Sequence, residues 1–449
     1  VLYASGRSGW ASKEVDGSKE NLHPLLDLIL EHVKPTELDD SKPFAMLSTL
    51  LYADSFLGRS LVGKISQGTA KANQQIKAIN LDGEQVDSGR LTKIFRFEGT
   101  KKVPIDIGEA GDIVVIAGLE KANVADTICD IEVKEPLHAT PIDPPTMSIK
   151  VTVNSSPLAG IEGKKLTSTQ IRTRLIQEAE NNVGITFSEN TNRDSFEISG
   201  RGELMLEILL TQMRREGFEL EVSKPQAIPK YLNGIEHEPY EILYLDTRED
   251  FIGTLTENLS SRLAEMINMD ADGRGNVRMD FEIPTRGLIG FNSFFVKSTK
   301  GQGVMTSIFK DYRPLSGSMN KVRSGVLVSS ETGVCVPYGI RNAQGRGSTF
   351  VDPGQTVYEG MIVGANSRQD DINLNICKEK KLTNVRASGS DDAIKLTPAT
   401  KMSLEECLDF IEDDELVDIT PKTIRLRKRV LPGSQRHRLS RAASKSNRE

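Results

Sequence analysis

The stretch Phe196–Val222, FEISGRGELMLEILLTQMRREGFELEV, packs a strand, a turn, a helix and a second strand into fewer than thirty residues. Phe196 and Ile198 alternate with polar neighbours, the period of a half-buried strand. Gly200-Arg201-Gly202 predicts a turn where a positive φ costs nothing. Leu204, Ile208 and the neighbouring row Met205, Leu209 and Met213 recur at the spacing of one apolar helix face, with Arg214, Arg215 and Glu216 toward water. Gly217 ends that helix, and Phe218, Leu220 and Val222 alternate with Glu219 and Glu221 as another strand of the same sheet. Leu204 therefore stands as a core position, where an aspartate would be severe.

Upstream, Met147–Val153 predicts a strand, and Thr167-Ser168-Thr169-Gln170 is a capping box opening a helix with Ile171, Leu175, Ala179 and Val183 on one face. Ile185–Ser188 and Phe196–Ser199 follow as strands, so Met147–Val222 has the order βαββαβ of the ferredoxin-like plan. The order recurs over 239–314. Tyr240–Leu245 is a strand, Leu255, Leu259, Leu263 and Ile267 mark a helix, and a hairpin turns at Asp272-Gly273-Arg274-Gly275 before Val277–Ile283. Gly290–Lys300 is a second helix and Val304–Tyr312 a closing strand.

The flanks are different. Residues 1–40 hold a strand end and a helix with a stripe of Leu22, Leu25, Leu26, Ile29 and Val33, too little to bury a core alone. From Lys42 to Pro136, the short β runs Phe44–Leu51, Leu61–Ser66, Gln75–Ile79, Leu91–Phe97 and Ile113–Ala117 are punctuated by glycines, which predicts a small β-barrel. Leu137–Pro145, with three prolines, is a linker. Beyond Leu315 the chain is again β-rich, with strands over Gly325–Val328, Thr332–Val336 and Thr356–Val363, a polar loop Lys378–Ala393, and a helix stripe of Leu404, Leu408 and Ile411. The expected fold is thus multidomain α/β and β: a barrel over 41–137, ferredoxin-like units over 142–228 and 236–314, and a β-rich C-terminal domain with a basic tail over 315–449.

A chain of 449 residues is long enough for three to five such domains, and no apolar run reaches the roughly 18 residues of a membrane helix. Four separated cysteines, Cys129, Cys335, Cys377 and Cys407, form no disulfide framework and fit a reducing cytoplasm. The opening at Val1, without Met and within a strand pattern, suggests a fragment. The net charge of −6 hides an asymmetry: residues 422–449 hold ten Lys or Arg against Glu449 alone, a local +9, so the remaining chain stands at −15. An acidic body with a basic end suits a protein that places one element against a polyanion.

Catalytic patterns are sparse. There is no GxxxxGK[ST] phosphate loop, and the two DxxG matches, Asp250–Gly253 and Asp272–Gly275, are chance-level without one. The five histidines form no HxxxH or HExxH, which argues against zinc. Cys377 beside Lys378 and Lys380 has no nearby base, so it predicts a structural thiol. Glu405, Glu406 and Glu412–Glu415 predict a solvated helix face rather than a cation site. Two basic features remain. Lys378, Lys380, Lys381 and Arg386 lie on the polar loop, and Arg425, Arg427, Lys428 and Arg429 alternate as an exposed strand would, within a basic tail from Lys422 through Arg436, Arg438 and Arg441 whose end is expected to order on phosphate.

The barrel, SGRGELMLEILLTQMRREGFELEV, the second βαββαβ unit and KEKKLTNVRASGSDDA together resemble the BipA/TypA family of ribosome-associated translational GTPases, relatives of elongation factor G, across essentially the whole chain. The resemblance implies a GTPase domain followed by a barrel, two ferredoxin-like domains and a C-terminal domain that binds the large ribosomal subunit. It also implies a loop, here Lys378–Ala393, directed at rRNA and the acceptor end of A-site tRNA, in a monomeric, non-membrane protein active in ribosome assembly or translation under stress. GTP and Mg²⁺ would belong to the full-length parent. Here only Ala4-Ser5-Gly6 matches a guanine-contacting motif, with Gly6 where alanine is usual, while the phosphate loop, switch regions and NKxD are expected before Val1. The chain by itself is expected to carry no cofactor and to bind and hydrolyse no GTP. A free-standing RNA-binding or chaperone-like scaffold is the alternative.

Overall fold

The computed structural model describes residues 1–33, 39–54, 58–191, 195–317, 319, 323–379 and 395–446. The chain forms two compact units, Val1–Ile142 and Asp143–Glu449. The first opens with a hairpin of β1 (Tyr3–Ser5) and β2 (Trp10–Ser12), followed by α1 (His23–His32). Pro24 sits in the first turn of α1, where a missing N–H is harmless. The stripe of Leu26, Ile29, Leu30 and Val33 is exposed.

Next come β3 (Ala45–Asp54), β4 (Gly58–Gln67), β5 (Ala70–Lys71), β6 (Gln75–Ile79), β7 (Gln85–Arg90), β8 (Lys93–Glu98), β9 (Lys101–Ile105), β10 (Ile107–Gly108), β11 (Ile113–Ala117) and β12 (Thr127–Cys129). Eight of them form one antiparallel sheet in the order β7-β6-β12-β3-β4-β11-β8-β9, around Phe44, Met46, Ile65, Ile76, Val114 and Ile116. The expected barrel does not close: among the described residues its end strands β7 and β9 do not pair. Their content explains this, since β9 carries Lys101, Lys102 and Pro104, and charge and proline suit an open edge.

The second unit begins with β13 (Met147–Val153), α2 (Ser168–Asn181), β14 (Thr186–Glu189), β15 (Ser195–Gly200), α3 (Glu203–Arg215) and β16 (Leu220–Val222), an antiparallel β14-β15-β13-β16 sheet. The capping box forms as expected, Thr167 and Gln170 bonding reciprocally at the start of α2. Gly217 takes φ +90 after α3, the left-handed conformation glycine adopts freely. Two expectations are corrected on α3. Its buried face is Leu206, Leu209, Leu210 and Met213, whereas Leu204 is 67 % exposed and Ile208 50 %. The sequence holds two overlapping stripes, and the strand register behind the turn selects the second. Gly200 and Gly202 do not supply a positive φ; a Cβ on Gly200 would lie 3.1 Å from Leu206 Cδ2, so its smallness admits that core side chain.

After β17 (Gln226–Ala227) and β18 (Lys230–Leu232), the plan repeats with β19 (Ile235–Arg248), α4 (Ile252–Ser261), β20 (Glu265–Ala271), β21 (Asn276–Pro284), α5 (Thr285–Leu288), α6 (Phe291–Ser298) and β22 (Gly303–Pro314). Its strands run β20-β21-β19-β22, the same permutation in a separate sheet. The expected helix over Leu255–Ile267 is cut short. Leu263 takes φ +65, and Ile267 falls in the exposed edge strand β20.

The remaining elements are β23 (Val326–Ser329), β24 (Gly333–Val334), α7 (Pro337–Gln344), β25 (Gly347–Thr349), β26 (Thr356–Val357), β27 (Met361–Asn366), β28 (Ile372–Leu374), α8 (Leu404–Phe410), β29 (Glu415–Ile419), β30 (Ile424–Lys428) and α9 (Gly433–Ser446). The basic tail is therefore helical where it is described. The C-terminal strands do not make a sheet of their own. β29 pairs with β16 through Leu220↔Ile419, Glu221↔Asp418 and Val222↔Val417, joining both regions in one eleven-stranded sheet.

Candidate nucleic-acid interface

The twelve basic residues expected to face RNA separate into three groups. The first is structural, and this corrects the exposed-strand expectation for β30. Arg427 is 2 % exposed and Lys428 3 %. Arg427 Nη2 lies 2.7 Å from Glu221 and donates to Ser155 Oγ, while its Nε lies 3.0 Å from Asp418. Lys428 Nζ meets Asp371, Asp414 and Glu415 at 2.6, 2.9 and 2.8 Å. Arg425 is half-buried and pairs with Glu162 at 2.8 Å. A buried cation needs carboxylates around it, and two of them, Glu162 and Glu221, lie more than two hundred residues upstream, beyond what local spacing can show. Glu415 is fully buried, so the acidic run is not a solvated face throughout.

The Arg425 and Arg427 pairs seal the seam between the ferredoxin-like sheet and the C-terminal strands. Burial pushes the Asp418 carboxyl up to about 6 against the pull of Arg427, and the Tyr358 hydroxyl donates to it at 2.5 Å. Burial would also raise Glu162, but hydrogen bonds from Thr420, Arg425 and Thr423 outweigh it and hold that carboxyl at about 2. Glu162 itself is delivered by a loop folded around the buried Glu219 carboxylate, which accepts the N–H groups of Gly160, Glu162 and Gly163.

The second group is accessible. Lys378, Lys422, Arg429, Arg438 and Arg441 are exposed. Arg429 is steered by its own bonds to the Asp413 and Asp414 backbone, its guanidinium donating to the carbonyl of Asp413 and its N–H to that of Asp414. Arg436 anchors α9: its guanidinium donates to Val430 O at 3.0 Å and to Asn373 Oδ1 at 2.6 Å, and burial pushes its pKa down. A cavity of about 670 Å³ lies between α9 and the sheet, lined by Asn373, Lys428, Arg429, Arg436 and His437. The third group, Lys380, Lys381 and Arg386, lies outside the described residues.

The root of the polar loop is held by α7, an element the sequence reading passed over. On the outgoing side Val336 N–H donates to Ile376 O at 3.3 Å. Gly339 lets that carbonyl approach, since a Cβ there would sit 2.1 Å from it. On the returning side Gln344 bonds both backbone groups of Thr397, at 2.7 and 3.1 Å. Asn373, which receives Arg436, is five residues before Lys378. The start of α9 and the outgoing limb of the loop therefore share one support, β28. Arg341 and Arg346, exposed on and just after α7, add positive charge beside it.

Ala4, Ser5 and Gly6 lie at the end of the β1–β2 hairpin, with Ala4 opposite Ala11 and Ser5 opposite Trp10. A Cβ on Gly6 would meet open space. Three residues at a hairpin end, with no phosphate-cradling sequence elsewhere in the chain, do not fit a nucleotide and its Mg²⁺.

Comparison with known proteins agrees with this layout. Residues 58–129 match the family model for elongation factor Tu domain 2, 236–323 that for the elongation factor G C-terminus, and 324–433 that for the TypA/BipA C-terminal domain. Strand-rich modules of this kind in tandem define a multidomain chain of the translation elongation-factor class. The chain is 42 % identical over 445 residues to the large ribosomal subunit assembly factor BipA of Escherichia coli K12, covering 98 % of this chain and 73 % of that protein. The corresponding proteins of Synechocystis and Haemophilus influenzae are 42 % and 41 % identical, over 95 % and 100 % of this chain and 72 % and 73 % of theirs. The chain belongs to the BipA/TypA family.

Proposed function

We propose that this chain is the ribosome-binding portion of a BipA-type translational GTPase, acting on the large subunit in the cytoplasm as a monomer, with GTP and Mg²⁺ handled by the parent's GTPase domain. The observation that carries the reading is the sorting of basic residues on the C-terminal domain. Arg427 and Lys428 are consumed by the fold, while Lys378, Arg438 and Arg441 stand exposed around β28 and α9. Lys378, Lys380, Lys381 and Arg386 then contact rRNA phosphates and the tRNA acceptor end, and Arg429, Arg438 and Arg441 hold the adjoining backbone.

Ribosome co-sedimentation across a salt series tests this. Replacing Lys380, Lys381 and Arg386 by Ala should weaken binding and flatten the log-log salt slope by about one unit or less per lost phosphate contact. Arg438→Ala with Arg441→Ala should add a further loss, with thermal stability unchanged. Binding curves identical to wild type for both folded variants would overturn the reading.

A further inference from the structure

The cavity of about 670 Å³ between α9 and the sheet falls within the size range of small-ligand sites. Its walls are of three kinds. The buried Val328, with Val430 and Leu439, supplies apolar surface. Lys428 is saturated by Asp371, Asp414 and Glu415, so that these groups answer one another. Two polar side chains are left over. Arg436 can only donate, so its 2.6 Å bond commits the Asn373 oxygen and leaves the Asn373 amide N–H groups as donors. The Asp413 carbonyl is taken by Arg429, while its carboxylate has neither an ion pair nor a hydrogen bond among the described residues.

An amide donor and a carboxylate with two free oxygens, in a partly apolar recess, match a flat ligand that carries one acceptor beside two donors. Guanine has that edge. Its O6 accepts, and its N1–H and N2–H donate side by side, so Asn373 can meet O6 while Asp413 takes both donors. Adenine and cytosine set a ring-nitrogen acceptor against the carboxylate, and uracil offers it a single donor. The Arg436 guanidinium, held in place by Val430 O, Leu431 O and Asn373, is a plane on which a base can stack. On the same helix Arg438 and Arg441 stand exposed for neighbouring phosphates.

We propose that this cavity holds one unstacked guanine of single-stranded RNA, read on its Watson–Crick edge by Asn373 and Asp413. The proposal rests on the RNA-binding reading above and adds a base preference to it, which phosphate contacts cannot supply.

Fluorescence anisotropy of the full chain with short labelled oligouridylates carrying one internal guanosine, adenosine or inosine tests it. The guanosine oligomer should bind on the order of tenfold more tightly than the adenosine one, with inosine, which lacks the N2 amino group, between them. Asp413→Asn, at an exposed position, should remove the guanosine preference and leave affinity for plain oligouridylate unchanged. Asn373→Asp, which keeps the oxygen for Arg436 and loses the amide donor, should do the same. Equal affinity for the three oligomers, no binding of any, or a guanosine preference that survives both substitutions would overturn the cavity assignment. Ribosome co-sedimentation and its salt slope would still decide the RNA-binding reading separately. Guanosine monophosphate binding as tightly as the guanosine oligomer would overturn the assignment to RNA and make the ligand a free nucleotide.

Discussion

β16 and β22 occupy the same place in two copies of one topology, the outer strand beside the first strand of a βαββαβ sheet, yet they do opposite things. β16 is three residues long, wholly buried, and receives β29 on its far side. β22 is twelve residues long, leaves Val304 and Ile308 more than half exposed, and among the described residues carries no further strand. Topology supplies the edge, and side chains decide whether it is used. Glu221 on β16 faces Arg427 from the incoming hairpin, and removing that pair from water is tolerable only because Asp418 and Ser155 complete it. On β22, Arg313 sits 31 % exposed between Glu282 and Asp311, a pairing that helps hold the unit's own strands.

The contrast can be broken at Arg427. Arg427→Ala leaves Glu221 and Asp418 buried without their cation and should cost about 3–5 kcal/mol in urea unfolding, whereas Arg313→Ala should cost about 1 kcal/mol or less. Similar losses at the two edges would mean the seam is held by its backbone ladder and not by its charges. Acid sharpens the same point. Glu162 is held at about 2, so its contribution is complete above the ordinary value of 4.5 and is lost as pH falls toward 2. Glu162→Gln should flatten stability against pH between those limits, as followed by thermal unfolding in a pH series. The smallest effect belongs to α3, whose outer face the sequence pattern mistook for its inner one. Leu204→Asp should change stability by no more than about 0.5 kcal/mol, while Leu210→Ala on the buried face should cost about 2–5 kcal/mol by the same denaturant titration.

What could be seen in the sequence was local. Met147–Val153, Gln75–Ile79 and Ile113–Ala117 are strands with the bounds their alternation predicts, and the Thr167–Gln170 cap needs only four residues to declare itself. What could not be seen depends on distant partners. Leu255, Leu259, Leu263 and Ile267 satisfy a helical period, yet the chain turns at Leu263 so that β20 can pair with β21. The alternation of Arg425, Arg427 and Arg429 suits an exposed strand as well as a buried one, and Glu221 and Glu162, which settle the matter for Arg427 and Arg425, lie some two hundred residues upstream. For the candidate interface, the basic character of the C-terminal region was plain, but the supports at Gly339, Gln344 and Asn373 had no signature, because each acts through one backbone or amide contact.

The β16–β29 ladder also has a mechanical meaning. Its hydrogen bonds run across strands that continue, through shared sheets, into both the C-terminal domain and the first ferredoxin-like unit. A pull along the strand direction therefore loads those bonds in shear, all together, and does not peel them one at a time. Force applied to the C-terminal domain would be passed to α2 and α3 with little slack, as through a splice rather than a joint.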